Sequence, residues 1–174
     1  MRVGTDLRPE VILKQQLEQI KPLQFNFNLM ASHLFSPSQK AQIVAAIQEA
    51  ETQTSGEIQV HIESRCKGSV LDRAAQVFET LKMYQTKYRN GVLVYLAAED
   101  HKLAIIGDAG INAVVPANFW ESTKDLMADL FRQGKFTEGL VEGIHHAGDQ
   151  LKAHFPFDNR DDQNELSDEV SFGN

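Results

Sequence analysis

Residues 90–110 read NGVLVYLAAEDHKLAIIGDAG, and this stretch decides the fold. Two apolar runs, at 91–97 and 103–106, flank a polar Glu-Asp-His-Lys tetrad, and glycines bound the stretch. Each run is too short for a helix and rich in β-branched residues, which is typical of a strand. Neither run alternates apolar with polar residues, so both faces of each strand should be covered. The short tetrad predicts a β-hairpin that joins two antiparallel neighbours.

The segments around the hairpin have the patterns of four helices and one further strand. Residues 36–39 read SPSQ, in which the first serine can cap a helix, proline suits its first position and glutamine completes a capping box. Residues 58–63 alternate apolar with polar side chains, which predicts a half-exposed strand. Apolar stripes with helical spacing predict three later helices, over 70–81, 119–131 and 136–151.

This order of elements predicts an α/β fold, namely a three-layer α/β/α sandwich with a small mixed sheet that contains a central β-hairpin. The strand–helix–strand unit at 57–97 should be a right-handed parallel crossover. We expect the domain to span 35–157, with an N-terminal appendage at 1–34 and an acidic mobile tail at 158–174.

Charge and composition exclude several classes of function. The net charge is −7, and residues 158–169 contribute −5 of it through six acids and one base. This balance argues against nucleic acid, which requires a basic face, and against anionic lipid. Cys66 is the single cysteine, which excludes an internal disulfide and favours a reducing compartment. Since no apolar run has the length of a membrane span and residues 1–30 lack a signal-peptide core, we expect a cytoplasmic protein without direct membrane insertion.

The predicted topology gathers polar residues and glycines at one edge of the sheet. The two parallel strands begin at this edge, and the antiparallel third strand returns to it. Two carboxylates there, on Glu57 and Asp108, are hard oxygen ligands for a cation such as calcium. In the alternative interpretation, Asp108 caps the following helical segment and Glu57 pairs with Arg89 or a backbone amide. The candidate site comprises Glu57, Arg89, Asn90, Gly91, Gly107, Asp108 and Gly110.

Two carboxylates that converge require a neutralising group. Arg89 lies at the same edge, whereas Lys102 begins the third strand at the opposite edge. We therefore predict that Arg89 takes the place of a cation and that calcium binds weakly or not at all.

Four segments of the sequence carry a resemblance to a known family: TSGEIQV at 54–60, NGVLVY at 90–95, IIGDAGI at 105–111 and FRQGKFTEGL at 131–140. Together they resemble the TPM domain family over about 35–155, and residues 164–173 resemble the end of a soluble bacterial branch. The resemblance implies an α/β/α sandwich and, in particular branches, acid phosphatase activity and bound calcium. Arg89 and Asn112 stand where many members carry acidic residues.

These observations predict an accessory module that acts on a protein partner. No complete set of nucleophile, base or metal ligands can be assembled from the sequence. The resemblance implies that the partner is membrane-associated, such as a LemA-type protein. The alternative is a weak metal-assisted acid phosphatase with a cation held by Glu57 and Asp108. No cofactor is expected in the first case, and calcium or another divalent cation in the second.

Overall fold

The computed structural model describes residues 34–158 and 163–173. The predicted appendage at 1–34 therefore lies outside the described residues, except for its last position. The helices and strands are, in chain order, α1 (Pro37–Glu51), β1 (Glu57–Glu63), α2 (Val70–Thr80), a 3₁₀ turn (Met83–Gln85), β2 (Gly91–Ala97), β3 (Lys102–Gly107), α3 (Ala109–Asn112), α4 (Glu121–Arg132), α5 (Phe136–Leu151) and β4 (Ser171–Phe172).

The predicted mixed sheet is confirmed, and it has one strand more than the sequence indicated. The strand order is β3-β2-β1-β4. Strands β1 and β2 are parallel from Glu57 opposite Gly91 to Glu63 opposite Ala97, whereas β2 and β3 form the antiparallel hairpin. The hairpin thus supplies one interior strand, β2, and one edge strand, β3.

Helices cover both faces of the sheet, as an α/β/α sandwich requires. Helix α1 begins at the predicted capping box, in which the side chains of Ser36 and Gln39 each accept a backbone N–H from the other residue. Helices α1, α4 and α5 form a thick layer, whereas α2 and the 3₁₀ turn form a thin layer. Successive residues of β2 alternate between the layers: Val92, Val94 and Leu96 face the thick one, and Leu93, Tyr95 and Ala97 the thin one.

The prediction that β1 is half-exposed is wrong, because all seven of its residues are buried. Its apolar residues pack on the thick layer, and its polar residues lie on the face of the thin layer. Of these, Gln59, His61 and Glu63 are 5%, 7% and 1% exposed. Alternation therefore identified two different faces, but the polar face is covered by protein instead of water.

The C-terminal residues also differ from the expectation of a mobile tail. Residues 163–173, called here the tail segment, lie on the domain, and Ser171–Phe172 forms β4 at the outer edge of β1. Leu166 packs against the core of the thin layer, and Phe172 packs against that of the thick layer. An acidic composition predicted mobility, but main-chain pairing and a few apolar side chains are sufficient to hold this segment.

Within the described ranges, each helix is too short or too polar to cross a membrane.

Candidate functional site

The predicted site residues lie in three neighbouring loops at one edge of the sheet. We call this region, residues 54–57, 89–91 and 107–110, the loop edge. Main-chain hydrogen bonds tie the loops together: Glu57 N–H donates to Asn90 O at 3.2 Å, Asp108 N–H to Gly91 O at 2.9 Å, and Gly110 N–H to Arg89 O at 2.9 Å.

Arg89 neutralises Asp108 directly, as the sequence predicted. Its Nε and Nη2 donate to the two carboxylate oxygens of Asp108 at 2.6 and 2.8 Å. The aspartate is 6% exposed, whereas the arginine side chain is 49% exposed. This two-point hydrogen bonding holds the pKa of the Arg89 guanidinium above its usual range. One oxygen of Asp108 also accepts the N–H of Ala109 at 2.7 Å, so the aspartate caps α3.

The backbone around this ion pair is tightly constrained. Arg89 has a φ of 51°, in the left-handed region that a side chain disfavours. At Gly110, an added Cβ would overlap the carbonyl oxygens of Tyr88 and Arg89. Only glycine at position 110 therefore permits the loop at 107–110 to approach the main chain of Tyr88 and Arg89 so closely.

Glu57 is buried and makes a different set of contacts. Its two carboxylate oxygens accept consecutive backbone N–H groups of the tail segment, those of Glu165 and Leu166, each at 3.1 Å. The carboxylate of Glu165 in turn accepts the N–H of Lys87 at 2.9 Å. Glu57 thus fastens the tail segment to the loop edge.

Asn90 is a buried residue of the loop edge that links it to two neighbouring segments. Its side-chain amide donates to the carbonyl of Ser55 at 2.7 Å, and its own N–H donates to the hydroxyl of Thr86 at 3.2 Å. Asn90 is 1% exposed, and its Oδ1 has no hydrogen-bond partner among the described residues.

These contacts decide whether the loop edge is suited to hold a cation between Glu57 and Asp108. Both oxygens of each carboxylate already accept from protein donors, a guanidinium in one case and amides in the other. Over the described ranges, no group of three or more His, Cys, Asp or Glu side chains is placed to hold a metal ion. The arginine and the amides supply the neutralisation that a calcium ion would supply, which argues against a cation shared by this pair. The predicted alternative, a capping aspartate and a glutamate on backbone amides, describes this edge better.

A cavity of about 310 Å³ adjoins the loop edge beneath the tail segment. Glu51, Glu57 and Asp168 lie in its wall. The pKa of Glu51 is raised to about 8, mainly by burial and in smaller part by the charges of Glu57 and Asp168. The N–H of Ile58, which donates to Glu51 at 2.8 Å, acts in the opposite direction. The Glu51 carboxyl is therefore mostly protonated at neutral pH, beside the carboxylate of Asp168. The other lining residues are Gln48, Thr52, Thr54, Gly56, Phe157 and Asn164.

A second polar group, which the sequence did not predict, lies at the other end of β1. We call it the Glu63 cluster; its members are His61, Glu63, Arg73, Tyr95 and Ser171. The Glu63 carboxylate accepts from Tyr95 OH at 2.6 Å, from His61 Nε2 at 3.2 Å and from Arg73 Nε at 3.1 Å, and Arg73 Nη2 donates to it as well. On its other side, His61 Nδ1 lies 2.7 Å from the hydroxyl of Ser171 in β4.

The charges in the Glu63 cluster follow from these contacts. Burial acts to raise the pKa of Glu63, but the hydrogen bonds from Arg73, Tyr95 and His61 outweigh burial and hold the pKa below its usual value. Burial lowers the pKa of His61, which is therefore neutral near pH 7. Because a carboxylate only accepts, Nε2 of His61 carries the proton.

A serine, a histidine and a glutamate in contact invite comparison with a hydrolase triad, and the geometry argues against one. The Glu63 carboxylate is shared with Arg73 and Tyr95, and the Ser171 hydroxyl also lies 3.3 Å from Val60 O within the sheet. Such a saturated, buried network holds β4 and α2 to the sheet. One signal in the sequence pointed to it: Tyr95 carries a hydroxyl that needs a partner within an otherwise apolar strand.

Comparison with known proteins gives a consistent family and fold. A family model described as "TPM domain" matches residues 30–150. The solution structure of the BA42 protein from the psychrophilic bacterium Bizionia argentinensis is 46% identical, with a TM-score of 0.75, over 80% of this chain and 95% of that one. The N-terminal domain of a protein from P. gingivalis is similar in fold at 21% identity, with a TM-score of 0.59, over 70% of this chain and 79% of that one. No curated protein matches the chain.

Proposed function

Because the chain belongs to the TPM domain family, we propose that it is a non-catalytic module that binds a protein partner. The observation that carries this proposal is the hydrogen bonding of the two carboxylates at the loop edge. Arg89 engages both oxygens of Asp108, and amides of the tail segment engage both oxygens of Glu57. These groups fasten loops to each other, which is the role of a scaffold that presents a binding surface.

The nature of the partner follows from charge and from the family resemblance. The chain has a net charge of −7, which disfavours nucleic acid and anionic lipid. We propose a protein partner in the cytoplasm, with a membrane-associated LemA-type protein as the first candidate.

The alternative function is a weak metal-assisted acid phosphatase at Glu57 and Asp108. It is less favoured because the two carboxylates are engaged by protein donors and so do not fit a shared cation. We therefore derive no catalytic step through a metal at this edge.

A phosphatase assay separates the two functions. Phosphate release from a generic phosphomonoester is measured with and without calcium or magnesium, for the wild type and for Asp108→Ala. Asp129→Ala is the matched control, since Asp129 is an exposed acid that pairs only with Arg132 on α4 in the described contacts. We expect no turnover in any of the three proteins. Metal-dependent turnover that is lost in Asp108→Ala but kept in Asp129→Ala would overturn the proposal.

A further inference from the structure

Within the part of the chain that the structure describes, main-chain pairing covers only part of the outer edge of β1. The strand has seven residues, and β4 pairs with two of them, in the register Ile62 opposite Phe172. Further along the same edge, the N–H of Ile58 donates to the side chain of Glu51 instead of to a strand. Strand β1 thus offers a longer edge than residues 34–158 and 163–173 use.

The contacts that hold the tail segment are largely contacts to its main chain. Glu57 accepts the N–H groups of Glu165 and Leu166, and the carbonyl of Ile62 accepts the N–H of Gly173 at 3.0 Å. The carboxylate of Glu57 holds a bent stretch of main chain at Leu166, whereas β4 and the N–H of Gly173 make strand-type contacts. Strand-type contacts are how proteins bind a peptide as an added strand.

Two positions of the tail segment also meet specific side-chain requirements. The hydroxyl of Ser171 lies 2.7 Å from His61 Nδ1. At Gly173, an added Cβ would lie 2.5 Å from an oxygen of the buried Glu63, so a larger residue does not fit without a shift.

Apolar side chains add a second layer of selectivity. Leu166 packs on the core of the thin layer, whereas Phe172 packs on that of the thick layer, below the ammonium of Lys40 at 4.8 Å. Together with the polar contacts, this defines the pattern Leu-x₄-Ser-Phe-Gly in a segment that bends near Leu166 and is extended at Ser171–Phe172.

We propose that the outer edge of β1 is a peptide-recognition site, which this chain fills with its own tail segment and which accepts a segment of a partner protein with the pattern Leu-x₄-Ser-Phe-Gly, extended at its Ser-Phe-Gly end. The inference rests on the proposed function, because it names how a protein partner is recognised. The tethered tail segment competes as an intramolecular ligand at an effective concentration on the order of millimolar. A partner segment therefore binds when the tail segment has detached.

The test uses the full chain with its own tail segment released. In the double variant Phe172→Asp/Gly173→Ala, the tail segment loses its apolar anchor, and the new Cβ at position 173 overlaps the Glu63 carboxylate. Fluorescence anisotropy then measures binding of a labelled peptide of residues 163–173, with a peptide that carries the same two substitutions as the control. We expect the double variant to bind the native peptide at least about tenfold more tightly than the wild-type chain does, and to bind the control peptide at least about tenfold more weakly. Equal binding of the two peptides would overturn the proposal.

Hydrogen exchange on the wild type gives a test that does not depend on the variant. If the site opens, the amides of Leu166 and Gly173 exchange faster than those of β2, through local detachment. Exchange of these amides only at the rate of global unfolding would overturn the proposal.

Two further outcomes are informative. Dimers of the wild type that the double variant no longer forms would show that the occupant is a second copy, and would overturn the partner assignment. Failure of peptide binding without any phosphatase turnover rejects this site alone, whereas turnover rejects the proposed function.

Discussion

Glu51→Gln should stabilise the protein, and its effect should grow with pH. Burial raises the pKa of Glu51 from 4.5 to about 8. Between these values the folded state holds a proton that the unfolded chain has lost. The stability contributed by this proton is complete below pH 4.5 and is lost as the pH rises to about 8. Glutamine resembles the protonated acid: its oxygen can still accept the N–H of Ile58, and its amide can donate to Asp168.

The magnitude follows from the separation of the two pKa values. Each pKa unit corresponds to about 1.4 kcal/mol, so the full separation corresponds to about 5 kcal/mol. Because the Glu51 side chain keeps some contact with water, screening reduces this figure. We therefore expect the free energy of unfolding of the wild type to fall by about 2–3 kcal/mol more than that of Glu51→Gln between pH 5 and pH 8.

Urea unfolding followed by circular dichroism measures this difference, with a chelator present so that no cation displaces the proton. Glu142→Gln is the matched control, because Glu142 is an exposed acid on α5, away from this cavity. Its profile should follow that of the wild type. Parallel profiles for the wild type and Glu51→Gln across this range would refute the assignment of a buried proton to Glu51.

Three further substitutions test the loop edge and the Glu63 cluster. Arg89→Asp removes a cation and adds a hard oxygen ligand, so calorimetry should show tighter calcium binding than in the wild type; tight wild-type binding at these loops would contradict the role of the arginine. Gly110→Ala should lower the free energy of unfolding by about 3 kcal/mol because its Cβ overlaps main-chain oxygens, whereas Gly68→Ala, with a φ of 80° and open space around it, should cost about 1 kcal/mol. Tyr95→Phe removes one donor from Glu63 and should cost about 1–3 kcal/mol in urea unfolding, with a rise in the pKa of that carboxyl measured by NMR; an unchanged pKa would show that the hydroxyl does not stabilise the charge.

Most of the architecture could be predicted from local patterns. The capping box of α1 and the apolar hairpin are signals that a few neighbouring residues carry, and the structure contains both. Arg89 as the neutralising group of this edge could be predicted as well, because topology alone fixes which strand ends share an edge; that it pairs with Asp108 and not with Glu57 could not.

The parts that sequence patterns did not predict depend on contacts between distant residues. His61 and Ser171 are 110 positions apart, and nothing local in an acidic stretch indicates that two of its residues extend a sheet. The burial of Glu63 was missed for the same reason: alternation of polar and apolar residues shows that a strand has two unlike faces, but not what covers the polar one.

The addition of β4 has a consequence for the order of folding. Strands β1 and β2 and helix α2 are translated well before residue 171, so Arg73 and Tyr95 can reach Glu63 while the last strand is still being made. Closing the sheet then requires a chain loop of more than a hundred residues, which is entropically costly and slow. Strand β4 is therefore the last strand to join the sheet, and until then a nascent chain exposes the edge of β1, where another chain could pair with it.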